Sequence, residues 1–294
     1  MFGKKNNKEK EYRQPLNLRK EIKLFPGYIL VGLWVAFTIF LLVWIVAASF
    51  STAPEIMRGE VFKFESGFHP ENYVNAWTAS NISGFFMNSL LYSIVTMVCV
   101  ILISAPAAYV LSRFTFLGNR PIKSSFIIAM SIPQVMVVLP LFSLATATHL
   151  TGSRIVLILL YIGMQVPYTT TFLMTFFQNL SRTYEEAAAI DGCSPMMTFW
   201  KIMFPLAQPG IITVGIFNFM NIWNEYFISL IFASSADTMP VGPGLKSVLT
   251  SMQYTGDWGG LFAAVVIVFL PTLVLYIFLS EKIISGVTGG GIKG

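Results

Sequence analysis

The sequence is poor in charge. Only 11% of its 294 residues are charged, whereas 55% are hydrophobic, and the mean hydropathy is +0.68. A soluble domain normally carries about a quarter charged residues. A shortage of this size, spread over the whole length, excludes an ordinary soluble domain and predicts a protein that crosses the membrane several times.

Cysteine and histidine are also scarce. Cys99 lies in an apolar run and Cys193 in a polar segment, so the two thiols are expected at different depths and no disulfide is predicted. His69 and His149 are far apart in the sequence and have no neighbouring cluster of ligands. The sequence therefore predicts no metal site.

Several motifs of enzymes and ATPases are missing. The sequence contains no G-x-x-x-x-G-K-[ST] phosphate loop, so the chain is not expected to bind ATP itself. It also contains no H-E-x-x-H, no G-x-S-x-G and no paired intramembrane carboxylates, so a transport subunit is favoured over an enzyme. No internal repeat is apparent. Because a complete secondary transporter usually consists of two related halves, the sequence does not favour one.

Long apolar stretches are abundant instead. About 20 such residues are needed to cross the hydrocarbon core, and in lipid only helices or closed barrels satisfy the backbone. The runs lack strict alternation, so they predict an all-α fold with six transmembrane helices. The first is too long for a signal peptide and is predicted to be retained. The predicted spans are Tyr28–Ala48, Phe86–Leu111, Ser124–Thr146, Ile155–Phe177, Gly210–Phe232 and Gly260–Leu279.

The basic residues are distributed unevenly about these spans. Fifteen of the 19 lysines and arginines fall on one side, which predicts cytoplasmic N- and C-termini and a cytoplasmic connection between spans four and five. The basic N-terminus is expected to meet lipid headgroups rather than nucleic acid. The expected regions are a basic segment (1–27), the first span with a long external loop (28–85), a core (86–283) and a Gly-rich cytoplasmic tail (284–294).

The segment EEAAAIDGCSPMMTFWKIMFP follows the fourth span. It predicts two short helices, the first capped by Thr183 with Glu186 completing a capping box and ended by Gly192. Ser194 is predicted to cap the second helix, which would end near Pro205. From the residues alone, a docking surface for a partner and an ordinary capped amphipathic loop are equally open interpretations.

The fifth predicted span carries polar residues in FNFMNIWNEYF. On a continuous helix, Asn218, Asn221, Asn224 and Glu225 share one sector of about 120°. Intramembrane polar groups face a cavity or another helix, so the stripe predicts either a lining of a translocation path or interhelical hydrogen bonds. Both remain open for the asparagines, whereas the cavity is favoured for Glu225.

The polar segment resembles the EAA signature of ABC-importer permeases with the MetI-like transmembrane fold. The match consists of Glu186, Ala187, Ala188, Asp191 and Gly192, followed by I-M-F-P ending at Pro205. The usual form of the last part is I-x-L-P, so the phenylalanine is a departure. The stretches ENYVNAW, AAYVLSRFTFLGN, GDWGGLFAAVV and GVTGGGIKG are similar to the carbohydrate group, most of all to the smaller permease of maltose-type importers.

The resemblance implies a function and a set of partners. The EAA segment would be a coupling helix that docks on an ATPase, and the C-terminal glycines Gly289, Gly290 and Gly291 would contact the ATPase interface. The chain would pair with a second related permease, two ABC ATPase subunits that use ATP and Mg, and an external solute-binding protein, in a bacterial cell membrane. The expected substrate is a sugar or oligosaccharide. A polyol or glycerol phosphate is the alternative, and a membrane scaffold or membrane enzyme is least favoured.

Overall fold

The computed structural model describes residues 18–289, and the side chains of residues 23–252 and 254–279. All regular secondary structure in this part of the chain is helical. The helices are α1 (Leu18–Ser49), α2 (Ala53–Arg58), α3 (Glu71–Thr78), α4 (Ile82–Arg113), α5 (Asn119–Met130), α6 (Gln134–Ala147), α7 (Arg154–Asn179), α8 (Thr183–Ile190), α9 (Pro195–Thr198), a π-helical turn (Phe199–Met203), α10 (Phe204–Leu206), α11 (Gln208–Trp223), α12 (Phe227–Phe232), α13 (Val241–Thr255) and α14 (Trp258–Gly289).

Four of these helices are long and apolar enough to cross a membrane alone, namely α1, α4, α7 and α14. Two bent pairs could each supply one more span. The α5–α6 pair bends by 97°, and the helix Pro195–Leu206 meets α11 at 73°. The fold therefore has four to six apolar spans in its described part.

The expectation of one continuous third helix is wrong. Its predicted range is divided between α5 and α6, which are separated at residues 131–133. Pro133 has no N–H to donate and restricts the residue before it, so an α-helix is readily interrupted there. The amides of Ser131 and Ile132 instead close tight turns onto the carbonyls of Ile128 and Ala129.

The centre of the bundle is the contact between α4 and α7. The face of α4 that is turned inward carries small and hydroxyl-bearing residues at intervals of three and four, so the two backbones approach closely. This buried face includes Ser89, Ser93, Thr96, Val100 and Ser104. The close contact makes α4 and α7 the frame on which the other elements are positioned.

Polar contacts join separate elements at each end of this frame. At one end, the Arg113 guanidinium donates to the Leu180 carbonyl at 2.7 Å, which joins the ends of α4 and α7. At the other end, Arg154 donates to the Asp237 carbonyl at 2.6 Å, and the Asn88 amide donates to the same carbonyl at 2.8 Å. The segment after α12 is thereby fixed over the starts of α4 and α7.

The loop between α1 and α4 is organised around one buried carboxylate. Glu55 accepts hydrogen bonds from the backbone amides and hydroxyls of Thr52 and Ser66, at 2.8–3.0 Å. These four donors stabilise the ionised form and lower the pKa of Glu55 to about 2. The loop is therefore a folded structure and not merely a long connection.

The last helix extends beyond the predicted limit of the core at residue 283. The α14 helix continues to Gly289, so the first part of the predicted tail is helical. Gly290 and Gly291, which are predicted to contact an ATPase, lie outside the described residues.

Candidate functional sites

The first candidate site is the segment from α8 to α10. The helix α8 begins at Thr183 with Arg182 as its N-cap, and no side chain caps it. The predicted capping box on Thr183 is therefore wrong. The physical reason is local, because Ser181 Oγ accepts from the Thr183 amide at 3.3 Å and lies 2.9 Å from its hydroxyl. The chain thus turns before Thr183, which becomes the first helical residue.

The end of α8 follows the prediction. Gly192 has a φ of 75°, the left-handed conformation that glycine adopts without penalty. The Cys193 amide donates to the Ala188 carbonyl at 2.9 Å, and the Gly192 amide donates to the Ala189 carbonyl at 3.1 Å. These two bonds form a Schellman motif, so Gly192 stops the helix as expected.

The second short helix also starts as predicted. Ser194 Oγ accepts from the Met197 amide at 3.3 Å, and Pro195 occupies the first helical position. The helix then widens into the π-helical turn before it ends at Leu206. Pro205 lies exposed in its last turn, close to its predicted end.

Aromatic packing anchors this segment to the bundle. The Phe199 ring lies 5.1 Å from the Tyr109 ring of α4 and 6.3 Å from the Phe177 ring of α7, measured between centroids. An ion pair between Arg113 and Glu185, 3.4 Å apart, ties α8 to the end of α4. Neither connection was predicted from the sequence, because the residues that it joins are more than 20 positions apart along the chain.

The EAA residues divide between the two faces of α8. Ala188 is buried against the bundle, whereas Glu186, Ala187, Asp191 and Gly192 are exposed. Ile190 is 87% exposed beside them, a large apolar side chain that the sequence analysis did not single out.

The second candidate site lies where α11 ends. Asn218 is fully buried, and its side-chain amide exchanges hydrogen bonds with the Thr169 hydroxyl of α7 at 3.1–3.2 Å. This arrangement is interhelical, which fits the hydrogen-bonding interpretation for Asn218.

The predicted single sector of four polar residues does not form. The helix α11 ends at Trp223, where a continuous helix to Phe232 was expected. Asn224 is the C-cap, and its side chain donates to the Met220 carbonyl at 2.8 Å. The Asn224 backbone amide still donates to the Met220 carbonyl at 3.0 Å, so the assumed helical geometry fails from Glu225 onward.

Glu225 instead holds the break between α11 and α12. Its Oε1 accepts from the Ile228 amide at 2.6 Å, and its Oε2 accepts from the Ser229 amide at 3.0 Å. The Tyr161 hydroxyl of α7 donates to the same Oε2 at 2.8 Å. The carboxylate thus satisfies the first amides of α12 and links them to α7.

A polar cavity of about 360 Å³ opens beside this carboxylate. It brings Asn221 and Glu225 together, whereas Asn218 and Asn224 are not part of its lining. Gln134 and Gln165 also contribute amide groups to the lining. The lining consists of Gln134, Tyr161, Met164, Gln165, Tyr168, Asn221, Ile222 and Glu225. Amide, phenol and carboxylate groups around a concave space can bind the hydroxyl groups of a polar solute.

A second, mostly apolar cavity of about 410 Å³ adjoins the first. The two share Gln134 and Met164, and the second is bounded by the bend between α5 and α6. Among the described residues, no group of three or more His, Cys, Asp or Glu could hold a metal ion.

Comparison with known proteins gives a consistent result. Residues 78–282 match the family model described as binding-protein-dependent transport system inner membrane component. The permease protein NgcG of a diacetylchitobiose uptake system from Streptomyces coelicolor is 34% identical over 91% of this chain and 88% of its own. The permease protein SmoH of a sulfoquinovosyl glycerol transport system from Agrobacterium fabrum is 34% identical over 86% of this chain and 88% of its own.

A solved structure shares the fold. The crystal structure of a bacterial ABC transporter involved in the import of the acidic polysaccharide alginate superposes with a TM-score of 0.79, at 20% identity, over 90% of this chain and 97% of that chain. Members of this family are transport subunits, and the ATPase of the transporter lies on separate subunits. The chain therefore belongs to the family of binding-protein-dependent transport system inner membrane components, and it is a multi-pass, MetI-like permease subunit of an ABC importer.

Proposed function

We propose that this chain forms half of the translocation pathway for a sugar or oligosaccharide. The observation that carries the proposal is the polar cavity beside α11, whose amide, phenol and carboxylate groups suit a polyhydroxylated solute. The names of the relatives, which refer to diacetylchitobiose and sulfoquinovosyl glycerol uptake, support a glycan substrate. The cavity does not favour glycerol phosphate, because its lining contains a carboxylate and no cationic side chain.

The chain acts within an assembly. Its expected partners are a second related permease, two ABC ATPase subunits that bind ATP and Mg, and a solute-binding protein on the outer side. Both termini and the segment from α8 to α10 face the cytoplasm in this proposal. The excess of Lys and Arg on that side supports the orientation.

Coupling runs through the exposed face of α8. The ATPase docks on Glu186, Ala187, Asp191 and Gly192, and the C-terminal glycines add a further contact. Closure of the two ATPases on ATP displaces α8, and the displacement reaches the frame through two anchors. The Glu185–Arg113 ion pair moves the end of α4, and Phe199 moves α4 and α7 together.

Uptake by the complete importer tests the proposal. A tag on this chain is used to co-purify its partners, and the complex is reconstituted in proteoliposomes with its binding protein. Labelled diacetylchitobiose, trehalose, maltose and glycerol 3-phosphate are then compared. ATP-dependent uptake of at least one of the three sugars is expected. Uptake of glycerol 3-phosphate alone would favour the alternative substrate, and failure to retain any ATPase would contradict the assembly.

Two asparagine variants test the cavity itself. Asn221→Ala removes an amide from the lining and is expected to reduce sugar uptake while the complex still assembles. Asn224→Ala removes an amide that is bonded within its own helix, and uptake is expected to stay near the wild-type value. Equal losses in both variants would instead favour the continuous polar stripe.

A further inference from the structure

The cavity beside α11 carries charge of one sign. Among its lining residues, Glu225 is the only carboxylate and no lysine or arginine is present, whereas the others are amides, phenols and apolar groups. Lys246 is not in the lining. Its Nζ lies over the Tyr226 ring, 5.9 Å from the centroid. The wall that this chain contributes therefore carries one carboxylate and no cationic side chain among its lining residues.

The hydrogen bonds of Glu225 leave part of the carboxylate available. A carboxylate offers about four lone-pair positions and no proton. Three are used, by the Tyr161 hydroxyl and the amides of Ile228 and Ser229. Two of these bonds fall on Oε2, so Oε1 keeps one position for a further donor. Because three donors hold the group in place, it cannot turn away from a ligand without losing them.

We propose that Glu225 selects the solute by charge, so that this cavity accepts glycans that are uncharged or carry an amino group and disfavours glycans with a carboxylate, sulfonate or phosphate. The remaining lone pair of Oε1 binds a hydroxyl or ammonium donor. An anionic group has no proton to offer there and is repelled by the carboxylate. At a separation of about 8 Å and an intermediate dielectric constant, one negative charge on the solute lowers its occupancy of the cavity roughly tenfold.

This inference rests on the proposed function, because a selective cavity matters only if the solute passes through it. It goes further than that function, since a glycan path alone does not determine which charges are admitted. The charge of the cavity can be measured without knowing the sugar.

The test uses charged thiol reagents on the complete importer. The native cysteines are replaced by Cys99→Ser and Cys193→Ser, and Asn221→Cys places a thiol in the lining. Rates of modification are compared for the trimethylammonium and sulfonate forms of ethyl methanethiosulfonate, each corrected for its rate with a free thiol. We expect the cationic reagent to be favoured at least tenfold, because the two reagents differ by two units of charge near Glu225.

Three further variants identify the source of the preference. Glu225→Gln should reduce it to within about twofold of the free-thiol ratio, and Glu225→Asp, which keeps the charge, should retain it. Asp257→Asn is the matched control, because the Asp257 carboxylate also accepts from an amide in the first turn of a helix, that of Gly260 at 2.9 Å, but lies outside the cavity. It should leave the ratio unchanged.

Each outcome decides between the two proposals. If the two reagents have equal corrected rates both with Glu225 and with Glu225→Gln, charge selection is overturned. The path is left intact by this result, provided that modification of the thiol blocks uptake. A preference that survives in Glu225→Gln would also overturn it, since another group would then set the potential. A thiol that reacts without affecting uptake, or does not react with either reagent in any nucleotide state, would contradict the path itself.

Discussion

The turn at Gly192 provides a direct test of the coupling segment. Its φ is 75°, and a Cβ added there would meet no atom within 4 Å, so a substitution acts through the backbone alone. An alanine held in this left-handed conformation costs about 1 kcal/mol, whereas asparagine tolerates it better. Proline fixes φ near −65° and removes the amide that donates to Ala189, so the helix end cannot form.

These differences translate into affinity for the ATPase subunits. If docking requires the native turn, a cost of about 1 kcal/mol weakens binding roughly fivefold. We expect Gly192→Asn to bind nearly as the wild type, Gly192→Ala several-fold more weakly, and Gly192→Pro not to retain the ATPase. The assay titrates purified ATPase onto the permease pair in nanodiscs and follows sugar uptake in parallel.

Gly59 provides the matched control. It also ends a short helix, has a φ of 72°, and has open space where a Cβ would be, but it lies in the loop between α1 and α4. The same three substitutions at Gly59 should leave ATPase binding unchanged. If Gly192→Pro binds the ATPase as tightly as Gly59→Pro does, the turn has no part in docking and the coupling assignment fails.

Three further outcomes can be measured. Glu186→Lys should abolish ATPase co-purification with normal membrane insertion, whereas Glu65→Lys, at an exposed residue between α2 and α3, should not; equal retention would contradict docking on α8. Thr169→Val removes the hydroxyl to which the buried Asn218 amide donates, and it should lower the free energy of unfolding by about 1 kcal/mol in a thermal unfolding assay. The same substitution should have no such effect in an Asn218→Leu background. Since the pKa of Glu55 is lowered to about 2, its stabilisation of the loop should be complete above about pH 4.5 and be lost as the pH falls towards 2. Limited proteolysis should detect this loss in the wild type. The susceptibility of Glu55→Gln to proteolysis should not depend on pH.

The coupling segment shows what local sequence signals can predict. The end of α8 at Gly192 and the cap at Ser194 were both predicted, because each depends on the conformation or hydrogen bonding of residues next to it. The start of α8 was not, since Ser181 Oγ accepts from the Thr183 amide and Thr183 becomes the first helical residue and not the cap. Two nearby hydroxyl residues of similar capping ability therefore shift the start of the helix by one residue.

The broken helices show what hydropathy cannot predict. A window of apolar residues measures solubility in lipid and is insensitive to an interruption of two or three residues. Pro133 gave a local sign of the first break, whereas the second follows Trp223 without any proline or glycine. At that break, the Tyr161 hydroxyl of α7 donates to the Glu225 carboxylate, a contact between distant residues that no local pattern reveals.

The second break joins a structural requirement to a functional one. Backbone amides that are freed within a membrane must find acceptors, and Glu225 supplies them for the start of α12. The same carboxylate gives the adjoining cavity its charge. A neutral amide in its place has one oxygen and an NH₂ group, so it cannot accept from Ile228, Ser229 and Tyr161 in the same geometry. Removal of the charge at this position therefore also disturbs the helix break, so Glu225→Asp, which keeps the charge, is the variant that separates the effect of charge from that of cavity shape.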